Sequence, residues 1–241
     1  MVVVAHARAA QDGLSRRRLQ QERDAPLRSL FEMSNVSSDS RWERVLRFLG
    51  RRVPDHFDLS RRERGWMGTS TGRKFYPLDP RAEDIDIRDI ARGLSMTCRY
   101  AGQVKRFYSV AEHCYHVSMH VPKEHALEGL LHDSSEAYIG DMIRPLKHQP
   151  EMHEFRRAET AIELAVAQRF ALETSADVLR EVKEIDNRIL VDEIKLLSAC
   201  PGYYLVTPGL GDVPRLGVHL RCWDPRRAEI MFLSRFKELT A

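Results

Sequence analysis

Apolar residues recur at helical spacing along most of the chain, and the strongest periodic segments lie after residue 65. Before it, only Trp42, Val45, Leu46 and Leu49 form an i, i+3, i+4, i+7 stripe, predicting a short helix capped by Asp39 or Ser40 and ended by Gly50. Lys74–Leu78 reads as a short strand or extended turn, and a helix is expected over 84–98, where the acidic run suits an N-terminus. Ser109 precedes VAEHCYHVSMHV with Glu112 three residues on, the spacing of a capping box, and Pro122 stops that helix. Lys123–Tyr138 is expected as one further helix with Ala126, Leu127, Leu130 and Leu131 inward. Two long amphipathic helices follow over 151–171 and 175–199. Their inner faces are Phe155, Ala158, Ile162 and Ala165 in the first, and Val178, Leu179, Val182, Ile185, Ile189 and Leu190 in the second. Pro201-Gly202 and the Gly/Pro-rich stretch 207–217 predict a long loop, and Asp224 caps a last helix over 226–239. Strand signals are few, so the expected fold is an all-α bundle of six or seven helices over 66–241, behind an extension over 1–65.

Composition narrows the class without changing that picture. With 241 residues, 43% hydrophobic and 30% charged, the chain matches an ordinary globular protein, and it has no uncharged apolar run long enough to span a membrane. Its start lacks the charged n-region and long apolar h-region of a secretion signal. Cys98, Cys114, Cys200 and Cys222 form no CxxC pair, which argues against a zinc ribbon or disulfide scaffold and fits a reducing cytoplasm. The net charge of +3 is uneven: residues 1–66 hold fourteen arginines and no lysine against nine acidic residues. Such a leader could contact a polyanion, but it lacks a dense basic stripe with aromatics, so a solvated extension is expected and nucleic acid is not the expected partner.

The chemistry-bearing residues are His113, the adjacent pair His132-Asp133, then Glu136, Asp141 and Asp186. Imidazole and carboxylate ligands suit divalent Mn, Fe, Co, Ni or Zn. Spacing alone leaves the choice open, because His113, His116 and His120 share one helical face. Neighbours such as His132 and Asp133 also diverge by about 100° on a regular helix. A GxxxxGK[ST] phosphate loop and a GxSxG elbow are both absent from the sequence.

The phrases FYSVAEHCYHVS, ALEGLLHDSSEAYIGDMIRPLK and VKEIDNRILVDE resemble the HD-domain metal-dependent phosphohydrolases, closest to the branch of 5′-deoxynucleotidases and phage deoxynucleoside triphosphate hydrolases. The resemblance runs from Gly72 through the final helix. It implies a compact HD-domain bundle with one divalent transition ion (Co, Mn, Zn or Fe) on His113, His132, Asp133 and Asp186, Asp192 being the competitor for the last place. It implies Glu136 as the acid/base or water-orienting carboxylate, with Asp141 as a second carboxylate beside it. Arg99, Tyr100 and Lys147 would contact substrate, with Arg144 a weaker phosphate contact and magnesium accompanying the substrate phosphates. Tyr100 stands where relatives more often carry Trp, and Gln103 where they often carry His.

The expected activity is therefore metal-assisted hydrolysis of a small-molecule nucleotide by a homo-oligomer, most simply release of phosphate from deoxynucleoside monophosphates. The alternatives are a deoxynucleoside triphosphate triphosphohydrolase releasing tripolyphosphate, with Lys147 and Lys105 serving the outer phosphates, and a nucleotide-binding HD module without turnover.

Overall fold

The computed structural model describes residues 65–202 and 211–241. The expected helix over 41–49 and part of the expected loop after Pro201 lie outside the described residues. The described chain is all-α apart from one small hairpin, in which β1 (Met67–Gly68) pairs antiparallel with β2 (Lys74–Phe75). Asp89 anchors the hairpin's turn, accepting from Ser70 Oγ, Thr71 N and Thr71 Oγ1 at 2.7–2.8 Å.

Helix α1 (Ile87–Met96) is capped by Asp86 and α2 (Val110–His120) by Ser109, whose Oγ accepts from the Glu112 N–H. The capping box is half-made. Instead of reaching back, the Glu112 carboxylate accepts from the N–H groups of Arg221, Cys222 and Trp223. The single helix expected over 123–138 is broken into a 3-10 turn, α3 (Ala126–Leu131), a turn over 132–135, and α4 (Glu136–Ile139). After the short α5 (Arg144–Lys147) come the two long helices, α6 (His153–Phe170) and α7 (Ala176–Leu197). α8 (Pro225–Leu239) closes the chain, with Asp224 accepting from the Arg227 N–H and Pro225 at the first turn, where no donor is lost. Leu179, expected inward on α7, is 56% exposed.

Two apolar clusters meet at α2. One joins Ile90 and Leu94 of α1, Ala111 and Cys114 of α2, Leu130 of α3, Ile162 of α6 and Phe232 of α8. The other joins Val117 and Val121 to Val178, Val182 and Ile189 of α7 and to Val218 and Leu220. A helix buried on nearly all sides must take its polar residues inward too, and those residues then need partners. Two glycines let neighbouring helices close on it. A Cβ on Gly129 would stand 3.0 Å from Val121 Cγ2, and one on Gly93 would stand 2.6 Å from the Ala137 carbonyl oxygen. These contacts set α3 against α2 and α4 against α1. Among the described residues, no helix is long and apolar enough to cross a membrane.

Candidate metal centre

His113, on the buried helix α2, is wholly inaccessible. Its Nδ1 meets Glu193 Oε1 at 2.7 Å. Burial pushes the Glu193 carboxyl up, but Arg99 and His113 more than offset this and leave it at about 2, so it is an anion that can only accept. In the neutral ring the proton is therefore on Nδ1, and Nε2 carries the lone pair. His132 reaches the same state by another route, since its Nδ1 lies 2.9 Å from the Gly129 carbonyl oxygen, which can only accept.

These two bonds aim the Nε2 atoms of His113 and His132 at one another, 3.2 Å apart. Asp133 Oδ2 stands 3.3 Å from His132 Nε2 and 3.6 Å from His113 Nε2. Asp186 Oδ1 stands 3.2 Å from His113 Nε2. With both rings neutral the converging atoms are all acceptors, so a cation, a proton on His132 or a metal ion, is needed to join them. Two metal–ligand bonds of about 2.0–2.1 Å at tetrahedral or octahedral angles span about 2.9–3.4 Å; three of the four separations fall in that span and the fourth, 3.6 Å, lies just beyond it. His113, His132 and Asp133 form a group, all within 4.8 Å, that could hold a metal ion. The local field favours positive charge: burial pushes the His132 imidazole down, but Asp133 overrides it and raises the ring well above its ordinary value.

The break in the chain at 132–135 explains how adjacent residues serve one point. Successive i to i+3 hydrogen bonds, Ser134 N to Leu131 O and Glu136 N to Asp133 O, tighten the backbone there. The regular 100° divergence does not apply across that turn.

Around the cluster the other expected residues fall as follows. Asp186 reaches the group only through His113, and its second oxygen is held by Lys183 at 2.6 Å and Arg144 at 3.3 Å. Asp192 is elsewhere, accepting from Arg215 Nε and from the N–H groups of Leu216, Gly217 and Val218. Glu136 is buried, with no partner for Oε2; burial, then repulsion by Asp133 and Asp141, pushes its carboxyl well above the usual range. Asp141 accepts from the Tyr100 N–H at 3.2 Å. Arg99 is buried between Glu193 (3.2 Å) and Asp133 (3.4 Å), and Tyr100 donates its hydroxyl to Glu193 at 2.7 Å. Tyr100 and Ala101 both hold left-handed backbone (φ 59° and 51°), a strained arrangement for side-chain-bearing residues. Lys147 is paired with Glu159 at 2.6 Å, while Lys105 and Gln103 are exposed. Of the other histidines on the shared face of α2, neither His116 nor His120 joins the cluster.

Glu193 is the residue that sequence reasoning missed. It orients the His113 ring and binds Arg99 and Tyr100 at once. Its signal was the seven-residue step from Asp186, two turns along α7 and hence on the same face.

No protein-family model matches the chain. It is 34% identical over 176 residues to the uncharacterized protein YfdR of Escherichia coli K12, a match covering 73% of this chain and 96% of that one. It is also 39% identical over 94 residues to the uncharacterized protein RCAP_rcc00048 of Rhodobacter capsulatus, covering 35% of this chain and 48% of that protein.

Proposed function

The chain belongs to the family of Escherichia coli YfdR, and from its converging ligand set we propose that it is a metal-dependent nucleotide phosphohydrolase of the HD type. The reaction we assign is release of phosphate from deoxynucleoside 5′-monophosphates. The observation that carries the reading is the pair of imidazoles whose Nδ1 atoms are both committed, leaving two Nε2 lone pairs and the Asp133 carboxylate on one point.

His113, His132 and Asp133, with Asp186 beside them, would hold a divalent ion of the Mn, Fe, Co or Zn class. When bound, that ion supplies Lewis acidity toward a phosphoryl oxygen and a water acidic enough to react near neutral pH. The protein's own groups do the rest. Glu136, a buried carboxyl with an unpartnered Oε2 pushed well above the usual range by burial and by Asp133 and Asp141, gives a proton to the leaving nucleoside oxygen or takes one from the attacking water there. Arg99 and Arg144 each lie against a ligand carboxylate, so they fix those oxygens and bring positive charge to the phosphoryl group. Tyr100, its ring 5.6 Å from the Arg99 guanidinium, borders the space for the sugar, where crowding disfavours a ribose 2′-OH. Engagement of Lys147 by Glu159 leaves less free charge for a triphosphate chain, which favours the monophosphate.

The test is a panel of mono- and triphosphates with metal-supplemented full-length protein, measuring phosphate, tripolyphosphate and nucleoside separately. Deoxynucleoside monophosphates should yield nucleoside and phosphate, faster than their ribo counterparts. Glu136→Gln should keep the metal and lose about 10²–10⁴ of the rate. Cleavage of bis(p-nitrophenyl) phosphate with no nucleotide turnover would refute the assignment.

A further inference from the structure

A cavity of about 630 Å³ opens beside the C-terminal half of α2 and shares no lining residue with the His113, His132 and Asp133 group. Its walls come from α2, the segment before α8, and α8 itself. Arg221 and Arg227 line it together with His116, His219, Tyr115 and Trp223, and among the described residues no aspartate or glutamate does. Among the described residues, neither the Arg221 nor the Arg227 guanidinium has an ion-pair partner, and both residues are exposed.

The cavity has a constructed floor. Glu112, wholly buried, fixes the backbone of Arg221, Cys222 and Trp223 through three N–H donors, and Cys222 takes a left-handed φ of 53° to follow that path. Trp223 is thereby set nearly parallel to the His116 ring (18°) and edge-on to Tyr115. His116 is only 8% exposed, and its Nε2 has no hydrogen-bond partner; the nearest carboxylate oxygen, on Glu112, is 3.6 Å away. The ring is thus held in the cavity wall between Trp223 and the buried Glu112.

We propose that this cavity binds a phosphorylated, ring-bearing small molecule of nucleoside-monophosphate size. Two free guanidiniums offer the forked donors that suit a phosphate, and the Trp223, Tyr115 and His116 rings offer faces and edges to a planar group. The volume lies in the range of small-molecule sites. The inference concerns binding alone and stands whether or not the metal cluster catalyses hydrolysis.

Isothermal titration of chelator-treated, full-length protein with adenosine 5′-monophosphate, adenosine and inorganic phosphate tests it. The monophosphate should bind more tightly than either fragment, and equally well to wild type and Asp133→Ala. The double variant Arg221→Gln/Arg227→Gln alters only exposed side chains and should melt like wild type, yet bind the monophosphate at least about tenfold more weakly. Trp223→Leu should remove the advantage of the monophosphate over inorganic phosphate. Unchanged affinity in the arginine double variant, or affinity lost in Asp133→Ala and kept in that variant, would overturn the proposal.

Discussion

Each imidazole of the candidate cation site is oriented by one hydrogen bond to an oxygen that can only accept, Glu193 for His113 and Gly129 for His132. That arrangement aims the second nitrogens of both rings at one point, and it assigns unequal roles to the surrounding acids. Asp133→Ala removes a charged ligand, so elemental analysis should find the purified variant without its ion; full occupancy would reassign Asp133. Glu193→Gln keeps shape but offers His113 a weaker acceptor, and metal affinity should fall by about 10–100-fold in a competition titration. His113, His132 and Asp133 were legible because their short local phrases carry the resemblance. Glu193 was not, because the groups that give it meaning, His113 and Arg99, lie 80 and 94 positions away in the chain. Arg99 and Tyr100 were found as site residues, yet local sequence could not foretell that both would converge on that same buried acid.

Between elements, close approach decides where the site residues sit. Gly93 lets α1 touch the Ala137 backbone in α4, the helix that begins with Glu136. Gly93→Ala would force that contact apart, and thermal melts should show a loss of about 1–3 kcal/mol, the range for an overpacked core. The hairpin depends on Asp89. Burial pushes its carboxyl up, but donors from Ser70 and Thr71 more than offset this and hold it below its ordinary value. Its contribution is therefore complete above the unfolded-state value and is lost as pH falls through the lower folded one. Stability should drop on acidification below about pH 4, and Asp89→Asn should flatten that part of the pH profile of the melting temperature. The caps at Ser109 and Asp224 were readable from sequence, as were both long helices, because caps and periodicity are local. The turn at 132–135 and the outward Leu179 were not, since apolar spacing does not reveal where a tertiary contact interrupts a helix or where one stripe ends.

On the scale of the molecule, the residues that could hold a cation come from α2 and the 132–135 turn, with Asp186 of α7 beside them and the His113–Glu193 hydrogen bond tying α2 to α7. An ion bound there stabilises the fold by mass action, about 2.7 kcal/mol at a free concentration a hundred times its Kd. Adding chelator should lower the melting temperature by several degrees, and Asp133→Ala should show no chelator effect. The all-α class was legible because nearly every packed element is a periodic helix. The route of residues 211–224 was not, since no regular structure supports it: Asp192 and Glu112, two wholly buried carboxylates, hold its backbone through six N–H groups. Those bonds read no side chain of the strap they hold. Positions such as His219 and Arg221 can therefore be exchanged during evolution without moving the main chain, so one family can re-specify what the neighbouring cavity admits while inheriting an unchanged scaffold.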